Sequence, residues 1–474
     1  MKKLCIVGTG AAGWMTCLMA AEKNLFEQII IIGSPSIPSI GVGESNTLAI
    51  NNFHKEYNID LNEFIRESDA AVKYGVYYKN WGKNNFINNF RTDKSIYDIL
   101  GIPPELFYSS LANKSKDVPI SDLVACDLID TINKNHIFKS HTIYPKSWHF
   151  DAGKYIEFIS KHCKKYKNVS IISETVTKVE KTKDKIEKII TDKNNVIQAD
   201  YYVISTGYSD ILNEEYNDLS DILLTDKAFV YPLEYTNKRE QFHPYTVAKT
   251  MKYGWRWITP TYSRIGTGYT FSSRYVSVDE ARQEFINDIG VDIEPKLVNF
   301  QPRYNKKTFK ENYCTIGLSN GFLEPLDAPG LSLTIKTIYN LERMIVNQKN
   351  IPDTNIISNL REVFNKVVES NYKYWAAFIL TQYKTCWRDD TQFWIDHKKI
   401  KYDHQEYIMS LIENFSVDLS SYIMFMITIA GKDCTWNSKL KSLPFKQPEN
   451  SSFSSSIHHL DYIETIRKIK LSFC

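Results

Sequence analysis

The chain has 474 residues, enough to bury a large core in two domains or in one large domain with insertions. Its formal charge of +3 is small for that length and speaks against the concentrated basic face that nucleic acid needs. The 8 cysteines include no Cys-x-x-Cys pair, and no run of about 20 apolar residues occurs. No metal site, disulfide framework or membrane span is therefore expected, and the thiols fit a reducing cytoplasm.

In chain order, Leu4-Cys5-Ile6-Val7 reads as a buried parallel strand, Gly8-Thr9-Gly10-Ala11-Ala12-Gly13 as a turn, Trp14 to Lys23 as a helix and Gln28 to Ile32 as a second strand. A Gly-x-Gly-x-x-Gly turn opening a βαβ unit points to a dinucleotide, with its pyrophosphate on the helix N-terminus. The acid expected after the second strand, to hold a ribose, is absent, because Ile32 is followed by Gly33. Gly41-Val42-Gly43-Glu44-Ser45 is a second glycine-rich turn.

Residues 46–150 mix helix and strand and read as an insertion. Within them Ala71 to Val76 reads as one strand, with Lys73, Gly75 and Tyr77 on one face and Val72, Tyr74 and Val76 on the other. Lys73 should then point into a cavity opposite the core face; the alternative is a solvated lysine on an edge strand. Val169 to Glu174, Lys188 to Thr191 and Tyr201 to Ser205 read as strands returning to the first sheet, and the last leads into Thr206-Gly207.

Trp255 and Trp257 flank Arg256 ahead of Pro260, and strand alternation puts both indoles on one face. Two ordinary core tryptophans would give the same pattern. Phe322-Leu323-Glu324-Pro325-Leu326-Asp327-Ala328-Pro329-Gly330 precedes helical spacing that starts at Leu333. Asp327 could there be a helix N-cap. Helices are expected from this point to the C-terminus, with a serine-rich linker at Ser451–Ser456 and an amphipathic helix at Leu460–Leu471.

These elements, with Trp148-His149-Phe150-Asp151, Gly266 to Ser273 and Thr385-x-x-Arg388-Asp389-Asp390-Thr391-x-Phe393-Trp394, form an ordered series from residue 4 to about 394. The series resembles flavin-dependent halogenases of the tryptophan-halogenase-like kind. The resemblance implies an α/β chain: an FAD-binding, Rossmann-type, flavin monooxygenase-like fold with an additional mostly helical substrate region. Residues 1–335 would be the FAD-binding domain carrying the inserted 46–150, and 336–474 the helical region.

The implied enzyme is an oxidoreductase that takes FADH2 from a separate flavin reductase and uses O2 and halide to make hypohalous acid. By resemblance, Lys73 directs that oxidant to an aromatic small molecule and Asp327 is its acidic partner. Gly8, Gly10, Ala11, Ala12, Gly13, Gly43, Glu44, Ser45, Thr206, Gly207, Leu326 and Gly330 would bind the cofactor. Pro329 and Gly330 would face the halide, and Trp255 and Trp257 the flavin side.

Departures from the family pattern carry further expectations. Gly33 stands for Glu, which suggests weak FAD affinity. Asp327 stands for Glu, one methylene shorter. Ala328 stands for Ser, and Pro329 stands for Thr and has no N–H to give a halide. That loss suggests bromide or iodide over chloride. Asp98 and Leu100 replace the His and Phe that hold indole, and the segment around Phe425 is largely without the expected aromatics, so free tryptophan is not the expected substrate. An FAD-dependent aromatic hydroxylase and a non-catalytic flavin-binding protein are the alternatives. A homo-oligomer is possible.

Overall fold

The computed structural model describes residues 2–36, 44–45, 49–73, 75–82, 85–89, 147–243 and 245–413. Its first sheet is parallel and five-stranded, in the order β20-β12-β1-β2-β8. The strands are β1 (Lys3–Val7), β2 (Gln28–Gly33), β8 (Val169–Ser173), β12 (Tyr201–Ile204) and β20 (Tyr313–Thr315). β1 and β2 are apolar along their length because both faces are covered.

On one face Leu4, Ile6, Ile29, Ile31 and Val203 join the main core with α1 (Ala11–Glu22). That helix is apolar nearly all round, as a helix buried on every side must be. On the other face Cys5, Val7, Ile30, Ile32, Tyr202 and Ile204 meet Ile186, Ile189 and Ile197. These last belong to a separate three-stranded sheet of β9 (Val176–Lys181), β10 (Ile186–Thr191) and β11 (Val196–Ile197). The strand read at Lys188–Thr191 therefore covers the first sheet rather than extending it, and β20 takes the edge place beside β12.

The segment read as an insertion is woven into the rest. After α2 (Ala49–Glu56) and α3 (Leu61–Glu67) come β4 (Ala71–Lys73), β5 (Gly75–Lys79) and β6 (Phe86–Asn89). The expected single strand is two strands in two sheets. β4 pairs with β7 (Ser147–Phe150), which also pairs with β3 (Glu44–Ser45). β5 pairs in parallel with β15 (Thr246–Met251). That places β5 and β6 in a seven-stranded sheet with β14 (Lys227–Leu233), β15, β16 (Gly254–Pro260), β17 (Ile265–Phe271) and β18 (Lys296–Asn299).

α4 (Ala152–Cys163) follows β7 and packs on α1. A short α5 (Lys238–Gln241) lies between β14 and β15, and a small sheet holds β13 (Tyr216–Asp218), β19 (Arg303–Asn305) and β21 (Gly321–Phe322). α6 (Val278–Ile289), closed by a capping box at Ser277 and a left-handed Gly290, covers one face of the large sheet. The opposite face gives Ala228, Val230, Ala248, Trp255 and Trp257 to the main core.

Helices then dominate: α7 (Pro329–Asn350), α8 (Thr354–Lys384), α9 (Gln392–Lys399) and α10 (Asp403–Glu413). α7 runs unbroken through residue 335. The linker and terminal helix read beyond residue 450 lie outside the described residues. Among the described residues no helix is long and apolar enough to cross a membrane, and no cluster of three or more His, Cys, Asp or Glu is placed to hold a metal.

Candidate active site

The carboxyl ends of three adjacent parallel strands, β1, β12 and β20, meet where the strand order reverses about β1, the place at which open parallel sheets offer a crevice. Gly8 follows β1 with φ of 115°, and a Cβ there would sit 2.2 Å from the Ser205 carbonyl oxygen. A Cβ on Gly13 would lie 2.0 Å from the Gly8 carbonyl. Gly10 is the opposite case, because nothing among the described residues stands within 4 Å of its Cβ position. It is also the N-cap of α1 and gives no side-chain cap, so the amides of Ala11 and Ala12 face that open space uncapped.

Beside it, Gly207 has φ of 70° and open space around it, and the Ser319 hydroxyl donates to its carbonyl at 3.1 Å. Thr206 Oγ1 donates to the Ser209 carbonyl at 2.7 Å. This backbone cradle at a helix N-terminus fits a dinucleotide pyrophosphate. The missing acid after β2 has a steric counterpart: a Cβ on Gly33 would lie 2.1 Å from Thr9 Oγ1. Thr9 fills the space that a longer side chain at 33 would start from.

Lys73 belongs to a three-stranded sheet, β3-β7-β4. Register puts Ser45 and Ala71 opposite His149, and Lys73 opposite Ser147. Directly opposed residues share a face, and so do residues two apart along a strand. Ser45, His149, Ser147 and Lys73 thus make one polar face, while Val72, Trp148 and Phe150 make the apolar one turned to the core. Lys73 is fully buried and donates to Ser45 Oγ. Burial drives its pKa down, and the Asp327 carboxylate partly opposes that.

Asp327 comes from the loop that enters α7. It is 4 % exposed, and Oδ2 accepts from the Tyr78 hydroxyl. It does not cap the helix. Ala328 is the N-cap residue, and both Asp327 (φ 60°) and Ala328 (φ 53°) are left-handed. Two consecutive non-glycine residues in that region are strained. Pro329 opens the helix without an N–H, and Gly330 follows it.

Glu324, earlier in the same loop, is wholly buried and surrounded by donors. It accepts from Thr225 Oγ1 at 2.7 Å, from Trp255 Nε1 at 3.2 Å and from the Tyr383 hydroxyl at 2.9 Å. Burial pushes its carboxyl up to about 7, against the pull of those three donors. The tryptophan pair is therefore also a buttress: both indoles are buried on one face, 5.8 Å apart, and one is tied to the loop that carries Asp327. Trp257 requires Gly268 beside it, where a Cβ would lie 2.1 Å from its ring.

Trp81 joins the two carboxylate partners. Its ring lies 5.7 Å from Tyr78, 5.6 Å from Tyr383 and 5.6 Å from Trp394. Trp394, in the late segment singled out by sequence, donates to the Met251 carbonyl at 3.1 Å.

The structure thus groups the expected residues into two sets. Gly8, Gly10, Ala11, Ala12, Gly13, Thr206 and Gly207 gather at the carboxyl ends of β1 and β12, and Gly317, at the turn before Leu326 and Gly330, abuts Ala12. Lys73, Ser45, Asp327 and the tryptophan-bound loop form the buried polar end. Of Glu44 only the backbone is described, and Gly43, Asp98, Leu100 and Phe425 lie outside the described residues. Sequence reasoning missed Tyr78, since continuous alternation put Tyr77 on the Lys73 face. Thr225 and Tyr383 carry no local signal.

A protein-family model described as tryptophan halogenase matches residues 3–429. The chain is 27 % identical over 428 residues to a tryptophan 7-halogenase of Lentzea aerocolonigenes, covering 84 % of this chain and 79 % of that protein. It is 26 % identical over 440 residues to a tryptophan 6-halogenase of Streptomyces albogriseolus, covering 85 % and 80 %. Its fold matches the crystal structure of a tryptophan halogenase from Shewanella frigidimarina with a TM-score of 0.81 at 21 % identity, over 100 % of this chain and 94 % of that one.

Proposed function

The chain belongs to the tryptophan halogenase family, and from that premise we propose that it is a flavin-dependent halogenase of an electron-rich aromatic or heteroaromatic small molecule other than free tryptophan. The observation that carries the reading is a fully buried lysine on a polar sheet face, within the field of a buried carboxylate from a distant loop. Neither group has a packing reason to be there, and burying each is costly.

Reduced FAD, delivered by a separate reductase, supplies with O2 the oxidising equivalents that convert halide to hypohalous acid. The open side of Gly10 and the first amides of α1 would hold its pyrophosphate, with Thr206-Gly207 beside it, while Ser45, Leu326 and Gly330 would face the flavin end, toward Lys73. Gly33 in place of an acid, with Thr9 against it, supports weak FAD affinity. Lys73 donates a hydrogen bond to the oxygen of the oxidant. As the ring carbon bonds to halogen and the halogen–oxygen bond breaks, that oxygen takes a proton from the Lys73 ammonium and leaves as water. Asp327, steadied by Tyr78, accepts the proton lost from the ring.

At the halide position the first turn of α7 offers the Gly330 amide, and Pro329 offers none. A poorer anion cage handicaps chloride most, because chloride is the most costly of the three halides to dehydrate. This supports bromide or iodide as the working halide. In sequence, Asp98 and Leu100 stand for the His and Phe of the family's indole site and the segment around Phe425 is largely without its aromatics, which supports a substrate other than tryptophan.

The test is a panel of indoles, phenols and azoles with FAD, a reductase and each halide, read by mass spectrometry. Halogenated product that disappears in Lys73→Ala, with FAD binding intact, is expected. Oxygen added without halide dependence would instead indicate a hydroxylase. Bound FAD with no product from any arene would indicate a non-catalytic flavoprotein.

A further inference from the structure

Behind Lys73 runs a chain of buried and half-buried hydrogen bonds that the function above leaves unused. Lys73 Nζ donates to Ser45 Oγ. Ser45 Oγ lies 3.0 Å from Thr246 Oγ1, and Thr246 Oγ1 lies 2.8 Å from His149 Nε2. His149 Nδ1 lies 2.9 Å from the Pro260 carbonyl, at the end of the Trp255–Trp257 strand. His149 is fully buried and Thr246 nearly so.

The chain has a direction. A carbonyl only accepts, so Nδ1 carries the proton. Burial, with the Lys73 charge acting in the same sense, holds the imidazole well below its usual pKa, hence neutral. Nε2 must then accept, so Thr246 donates to it. The Thr246 oxygen accepts from Ser45, and the Ser45 oxygen accepts from Lys73. Each donor thereby polarises the next acceptor. A polar run of this kind, at the interface of two sheets, would pack more cheaply as alanine, valine and phenylalanine.

We propose that His149, through Thr246 and Ser45, is a positioning residue for Lys73: the neutral imidazole orients the whole chain and so fixes the direction of one ammonium N–H. This rests on the role given to Lys73 above. Among the described residues, the charged and titratable groups that bear on Lys73 include Asp327 on the loop before α7, with Tyr78 on β5 bonded to it, and His149 on β7. Of these, only His149 reaches it through neutral hydroxyls. Removing an acceptor destabilises the ammonium, so cutting the chain should lower the Lys73 pKa.

The experiment is nitrogen NMR on full-length protein labelled with ¹⁵N-lysine and ¹⁵N-histidine, with signals assigned by their loss in Lys73→Ala and His149→Gln. A His149 signal protonated on Nδ1 and bare on Nε2 is expected. In Ser45→Ala the Lys73 titration should move down by about one pH unit, the tenfold change expected when one charge-assisted hydrogen bond goes, and in Thr246→Val it should move the same way by less, since the Ser45 acceptor stays. Thr246→Ser should restore it. The alkaline limb of halogenation should move with it.

A His149 protonated on Nε2, or a Lys73 titration unmoved in both variants, would overturn the proposal. Full halogenation by Lys73→Ala would instead overturn the function reading, whatever the titrations show. The two failures are thus distinguishable.

Discussion

The crevice at the ends of β1, β12 and β20 and the buried end around Lys73 are built from different materials. The crevice is backbone: glycines, a turn and a helix N-terminus, mostly from contiguous sequence. The Lys73 end is side chains from β3, β4, β5, β7, β15, β16, α8 and the loop before α7, each held by a partner far away in sequence. A backbone site fails when an atom is added, whereas a side-chain network fails when one is removed.

That contrast can be tested in order of effect. The largest expected change is Lys73→Ala, with conversion down about 10³-fold or more and FAD binding within about twofold of the parent. Product mass spectrometry and flavin fluorescence titration check the pair. A parallel loss of FAD binding would mean that the two regions are not separable.

Next is Glu324→Ala, which leaves Thr225, Trp255 and Tyr383 as buried donors with nothing to bond. We expect a loss of about 3–5 kcal/mol in denaturant unfolding, as when one side of a buried polar cluster is deleted. On the crevice side, Gly13→Ala should cost stability and at least about tenfold in FAD affinity, since its Cβ would collide with the Gly8 carbonyl. Gly10→Ala, with open space around it, should fold normally and weaken FAD alone.

A smaller effect concerns pH. The Glu324 carboxyl is raised from 4.5 to about 7 in the fold, so between those values the folded chain binds more protons than the unfolded one. Stability should therefore fall as pH rises from about 4.5 to 7, by a few kcal/mol at most. Glu324→Gln should flatten that slope. The smallest effect is halide choice: with equimolar halides, bromide should exceed chloride by about tenfold, a difference near 1.4 kcal/mol. Chloride winning would break the argument from Pro329.

The two regions also differed in how readable they were. The Gly8–Gly13 turn was legible because each glycine answers a local demand, which the structure reproduces as collisions at Gly8 and Gly13 and openness at Gly10. The indole alternation of Trp255 and Trp257 was legible for the same reason. Around Lys73 the period of two held through β4 and then misled, because β5 enters another sheet and brings Tyr78, not Tyr77, to Asp327. The period cannot report a change of sheet. β10 was misplaced likewise, since an apolar strand lining a sheet and one covering it read alike. Asp327 fits an N-cap by composition, yet a left-handed Ala328 takes that place.

The left-handed pair Asp327-Ala328 has a consequence for engineering. Alanine in that conformation costs roughly 1 kcal/mol relative to glycine, so Ala328→Gly is an obvious stabilising change by strain alone. It would also free the hinge that aims the carboxylate. A campaign selecting only for heat tolerance would therefore be drawn to this position, and would harvest sturdier protein with a less disciplined acid. Screening at residue 328 should score turnover alongside melting temperature.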